Sequence, residues 1–92
     1  MIETRIINGC LGLKARLPSA NMILVVGERG YLMCGLLNLK KAEEIGQAAA
    51  VVTGVSTFSD VLKAEIAACT SKARELGITE GMLGEQAIEI LK

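Results

Sequence analysis

The pair Asn8-Gly9, set between a β-rich run at 2–7 and an alternating run at 11–17, constrains this chain more than any other feature. Both central residues of a two-residue type I′ turn need positive φ, which Asn and Gly tolerate, so the N-terminus is committed to an antiparallel hairpin. In the second run Leu11, Leu13, Ala15 and Leu17 point one way and Gly12, Lys14 and Arg16 the other. Period two with one apolar side predicts a half-buried strand whose leucines face the core. Pro18-Ser19-Ala20-Asn21 breaks that run. The continuous apolar stretch 22–26 then reads as a central strand covered on both faces. Gly27-Glu28-Arg29-Gly30 turns the chain back, and 31–37 completes a four-stranded meander.

The period then changes. Asn38 is placed to cap a short helix with Leu39, Ala42 and Ile45 on one side and Lys40, Lys41, Glu43 and Glu44 on the other. Gly46 ends it, and 48–52 reads as a fifth, buried strand. Thr57-Phe58-Ser59-Asp60 is a helix start with an acid in the first turn. Leu62, Ile66, Cys69, Ala73 and Leu76 follow at helical spacing, which predicts one buried stripe running through four turns to Gly77. Leu83, Ala87, Ile90 and Leu91 mark a C-terminal helix beyond a Gly-rich connection.

A sheet with one apolar face needs helices as cover. The expectation is therefore an α+β fold, a two-layer α/β sandwich. Its sheet is mainly antiparallel, of about five strands, with helices on one face. No internal repeat, linker or low-complexity tract divides the 92 residues, so residues 1–92 are expected to form one domain.

Composition excludes several function classes. The chain has no His, so Ser-His and Cys-His nucleophile systems and His-ligated metal sites are unavailable to it, and no metal or cofactor is expected. Ten Lys and Arg balance ten Asp and Glu, the basic residues are scattered, and Tyr31 and Phe58 are the only aromatics. Neither a basic patch nor a stacking platform for nucleic acid is present. The longest apolar runs, 22–26 and 48–52, are far shorter than the ~20 residues that span a membrane, and Glu3 and Arg5 interrupt any leader-like start. Cys10, Cys34 and Cys69 are odd in number and far apart, unlike a secreted disulfide framework. The expected compartment is the cytoplasm.

Half the residues are apolar, 51%, and a domain this small hides only ~60–65% of the surface its unfolded chain exposes. Together with zero net charge, which does not keep copies apart, this points to a homo-oligomer. Since 22–26 needs cover on both sides, the contact is expected at the sheet face or edge around Met22–Leu37.

Leu17-Pro18, Asn21-Met22 and Gly30-Tyr31-Leu32-Met33-Cys34-Gly35 occur in an order and spacing continued by Gly54-Val55, Thr57, Ala73, Gly77-Ile78, Gly81-Met82, Gly84 and Ala87. Over nearly its whole length the chain resembles the YunC-like family of bacterial and archaeal domains of unknown function. The resemblance implies a small two-layer α/β fold, with no established activity and no catalytic residues to carry over. Members look as if the long helix is broken near the position of Lys63 to Glu65. The apolar stripe here passes that point without a Pro, which leaves one helix with room for a kink.

Two places could carry chemistry. Cys34 ends a strand directly before Gly35, where a ligand or backbone could approach closely. A thiol there becomes a nucleophile if Arg29 or a helix N-terminus lowers its pKa, with Tyr31 nearby; burial as a small apolar side chain is the simpler reading. The strand-to-helix loop offers Gly54, Ser56, Thr57 and Ser59 to a small anion at a helix start, although ordinary N-capping accounts for the same residues and no P-loop lysine is present. Gly77, Gly81 and Gly84 lack nucleotide-binding spacing and read as a helix end and a tight connection. The leading expectation is a homo-oligomeric binding module, with a small anionic ligand at the strand-helix loop. The alternatives are a thiol-dependent enzyme using Cys34 and a structural subunit of a larger complex.

Overall fold

A computed structural model describes residues 2–18, 21–34 and 39–92. Asn8 and Gly9 take φ values of 50° and 88° and join β1 (Ile2–Ile7) to β2 (Cys10–Arg16) in the expected hairpin. Then follow β3 (Asn21–Val26), β4 (Tyr31–Cys34), α1 (Leu39–Glu44), β5 (Ala49–Val52), α2 (Phe58–Lys63), β6 (Ala68–Cys69), α3 (Ser71–Glu75) and α4 (Gly84–Leu91). The proposed cap Asn38 and the expected end of the fourth strand at 35–37, Gly35 included, lie outside the described residues.

The six strands stand in chain order, β1-β2-β3-β4-β5-β6. Every neighbouring pair is antiparallel except β4 and β5, which run parallel with Cys34 opposite Val52. The fold is an open α+β sheet, mostly antiparallel. Alternation along the strands splits the buried side chains into two clusters. Ile7, Cys10, Ile23, Val25, Leu32, Ala50 and Val52 meet Phe58 and Val61 of α2, Ala73 of α3, and Ala87, Ile88 and Leu91 of α4. On the opposite face Met33, Ala49 and Val51 meet Ala42 of α1. Thus, among the described residues, α1 is the one helix on the far side of the sheet, and it covers only the β4–β5 half.

Two readings of pattern are corrected. The stripe from Leu62 to Leu76 is not one helix. The chain leaves helical geometry after Lys63, with Ala64 extended at φ −76°, ψ 150°. It then adds β6 to the edge of β5, and restarts at Thr70, whose hydroxyl accepts from the Ala73 amide at 3.2 Å. Ile66, Cys69 and Ala73 are all buried, so the apolar spacing is real but is met by a loop, a strand and a separate helix. The second correction concerns β2. Its helix-covered face is the Cys10, Gly12 and Lys14 face, not the leucine face. A β-carbon at Gly12 would stand 2.7 Å from Ile7 Cδ1 and 2.9 Å from a ring atom of Phe58, so the missing side chain is what admits that ring. Leu11 faces the other way and is 46% exposed.

Candidate functional site

The two candidates read from the sequence come together at one end of the sheet, where the parallel strands β4 and β5 finish. Cys34 closes β4; its Sγ accepts from the Ile23 amide at 3.4 Å and its S–H is directed to the Asn21 carbonyl at 4.0 Å. The Asn21 side chain donates to the Ser56 carbonyl at 3.1 Å, tying the start of β3 to the loop that leaves β5. Asn21 therefore bridges the thiol strand and the Gly54–Ser59 loop.

The chemistry available there is modest. Cys34 is 4% exposed, and its sulfur continues the β3–β4 hydrogen-bond ladder past the last backbone pair. Arg29 and Tyr31 do not assist it. Both belong to the opposite end of β4, and the Tyr31 side chain lies on the opposite face from Cys34. In the loop, Thr57 is the N-cap of α2 and accepts from the Asp60 amide at 3.1 Å. Asp60 Oδ2 in return accepts from the amides of Ser56 and Thr57 at 3.1 and 3.2 Å. These bonds, that from Ser56 foremost, hold the Asp60 carboxyl below the usual carboxylate range. An internal carboxylate thus already occupies the N–H groups that an external anion would use. Ser59 is exposed on the first turn, and Gly54 takes φ +69° with open space around it.

The other cysteines are buried and free. Cys69 directs its S–H to the Ile78 carbonyl at 3.8 Å. Cys10, which the hairpin position leaves open to exposure on sequence grounds, is 2% exposed, and burial pushes its thiol pKa up.

Sequence reasoning did not find the cleft at the opposite end. There the β3–β4 turn, the connection from α1 to β5 and the start of α3 enclose about 280 Å³, with Arg29, Lys72, Tyr31 and Gln47 on the walls. These residues lie up to 43 positions apart and share no motif, so only the fold assembles them. Their pinning centres on Thr70, which is 1% exposed. Its hydroxyl donates to the Gln47 carbonyl at 2.8 Å and accepts from the Ala49 amide at 3.1 Å.

Fold and site together define a small open α+β domain with an uncovered sheet face and two polar ends. The family described as a domain of unknown function, DUF1805, matches residues 33–91, and the chain belongs to that family. It is 36% identical over 77 residues to the uncharacterized protein YunC of Bacillus subtilis (strain 168), covering 79% of this chain and 76% of the relative. The crystal structure of a protein of unknown function, TA1206 from Thermoplasma acidophilum, superposes with a TM-score of 0.90 at 31% identity, covering 100% of this chain and 92% of that one. Among the described residues no helix is long and apolar enough to cross a membrane.

Proposed function

We propose that this chain is a homo-oligomeric module that associates through the uncovered face of its sheet. One observation carries the reading. On the face opposite α2 and α4, β1, β2 and β3 present Ile2, Ile6, Leu11 and Val26, exposed by 67, 70, 46 and 38%, with Leu13, Met22 and Leu24 half-buried between them. Three strands of about six residues make a surface of roughly 20 by 14 Å. That area, about 280 Å², is close to the lower end of the largest apolar patches on monomers and is large enough to form the apolar core of an interface of about 800 Å² per partner. A second copy suits it better than another protein. The face is apolar, the chain carries no net charge to repel its own kind, and two identical twisted sheets pack face to face in a two-fold arrangement.

The three buried free thiols favour a reducing compartment such as the cytoplasm. The buried, ladder-bonded Cys34 gives no support to the thiol-enzyme alternative, and the Asp60 carboxylate takes the place of an anion at the Gly54–Ser59 loop. Sedimentation velocity at micromolar concentration tests the proposal. The unaltered protein is expected to sediment as a dimer or larger, and Ile6→Asp as a folded monomer, whereas Ser59→Asp on the helical side leaves the oligomer intact. A monomeric unaltered protein would sink the proposal, as would an Ile6→Asp variant that stays oligomeric.

A further inference from the structure

The cleft at the turn end of the sheet is walled by side-chain hydrogen-bond donors that no described residue uses. Arg29 and Lys72 line it, and among the described residues the side chain of neither makes an ion pair or a hydrogen bond. The Tyr31 hydroxyl donates to Gln47 Oε1 at 2.6 Å, which occupies the acceptor of that amide and leaves its N–H groups unused. Among the described residues lining the cleft, Glu28 alone carries a carboxylate.

The donors stand on a fixed frame. The Arg29 amide donates to the Leu91 carbonyl at 2.8 Å, the Tyr31 amide to the Ala48 carbonyl at 3.0 Å, and Thr70 holds the Gln47 backbone. At Gly30 a β-carbon would stand 2.8 Å from that of Ala48 and closer still to its carbonyl oxygen, so the turn packs directly on the connection before β5. The backbone that carries the donors is thus already ordered before a ligand arrives, and only the Arg29 and Lys72 side chains have rotamer freedom to lose. The volume, about 280 Å³, lies just under the range of drug-sized sites and suits a compact ligand.

We infer that this cleft binds a small oxyanion, a carboxylate or phosphate head on a compact body. The Arg29 guanidinium offers a planar fork to two oxygens, Lys72 a point charge and the Gln47 amide a neutral donor. The inference does not rest on association through the sheet face, although Val26 borders both that face and the cleft. Amide NMR titration of the protein at constant ionic strength, with inorganic phosphate in one arm and acetate in the other, tests it. At least one probe is expected to give saturable shifts at Gly30, Tyr31 and Gln47. Arg29→Gln and Lys72→Gln should each weaken that binding about tenfold, and Glu28→Gln should tighten it by removing the one opposing charge, an effect no structural role produces. Shifts that stay linear with both probes would overturn the inference, as would shifts that chloride reproduces or affinities unmoved by all three substitutions. The comparison of phosphate and acetate with chloride on the unaltered protein decides the matter even where a variant folds poorly.

Discussion

The carbonyl oxygen of Val61 occupies the place that a β-carbon on Gly84 would take. The Gly84 amide also donates to the Ala64 carbonyl at 2.8 Å, so the start of α4 sits directly on the end of α2, backbone against backbone. This contact accommodates the helix break after Lys63: α2 stops where α4 crosses it.

Gly84→Ala is therefore expected to destabilise the fold by about 3 kcal/mol, since the α4 backbone would have to lift from α2. Gly54→Ala is the comparison. Gly54 has open space but positive φ, and the substitution should cost only about 1 kcal/mol. Urea unfolding midpoints of the two variants check the difference, and equal costs would show that the α2–α4 approach is not tight.

Asp60 makes the stability depend on pH. Its folded pKa is depressed, so the stabilisation is complete at neutral pH and is lost as the pH falls through and below the ordinary Asp range. Asp60→Asn should flatten that part of the profile, because the amide carries no charge to titrate. Urea midpoints measured from neutral pH down to pH about 3 would show it, and an unchanged slope in the variant would remove the capping box from the account.

The cysteines provide a third measurement. Cys10, Cys34 and Cys69 are all buried, and the native protein should react with a neutral thiol reagent far more slowly than the urea-unfolded chain, in which all three react alike. A single fast site at Cys34 in the native state would restore the thiol-enzyme reading.

Sequence pattern revealed the strands better than the helices, and the reasons are local. Asn8-Gly9 specifies a turn by its own backbone preferences, so the hairpin needs no distant partner to be recognised. The Leu62–Leu76 stripe failed because helical spacing records only that residues are buried at certain intervals. Ile66 and Cys69 are buried by β5 and the segment before α4, partners remote in the chain. Thr70-Ser71 within the stripe was the available sign of a second helix start. The face of β2 was misjudged for a related reason. Gly12 looks like the polar side of the strand, yet it is the gap that receives Phe58. At the thiol end, the residues were readable one by one, but their meeting through Asn21 was not, since it depends on β3 lying beside β4. The cation cleft was invisible for the same topological reason.

The agreement of strand order with chain order also shapes how this protein is made. Each strand finds its neighbour already in place when it leaves the ribosome, and the first hairpin closes across two residues. The β1–β2, β2–β3 and β3–β4 pairings close over short connections, whereas the β4-to-β5 and β5-to-β6 connections carry α1 and α2. The face of β1–β3 opposite the exposed apolar one is covered by Phe58 of α2 and by Ile88 and Leu91 of α4, so the N-terminal half keeps both sheet faces open until the C-terminal half has been made.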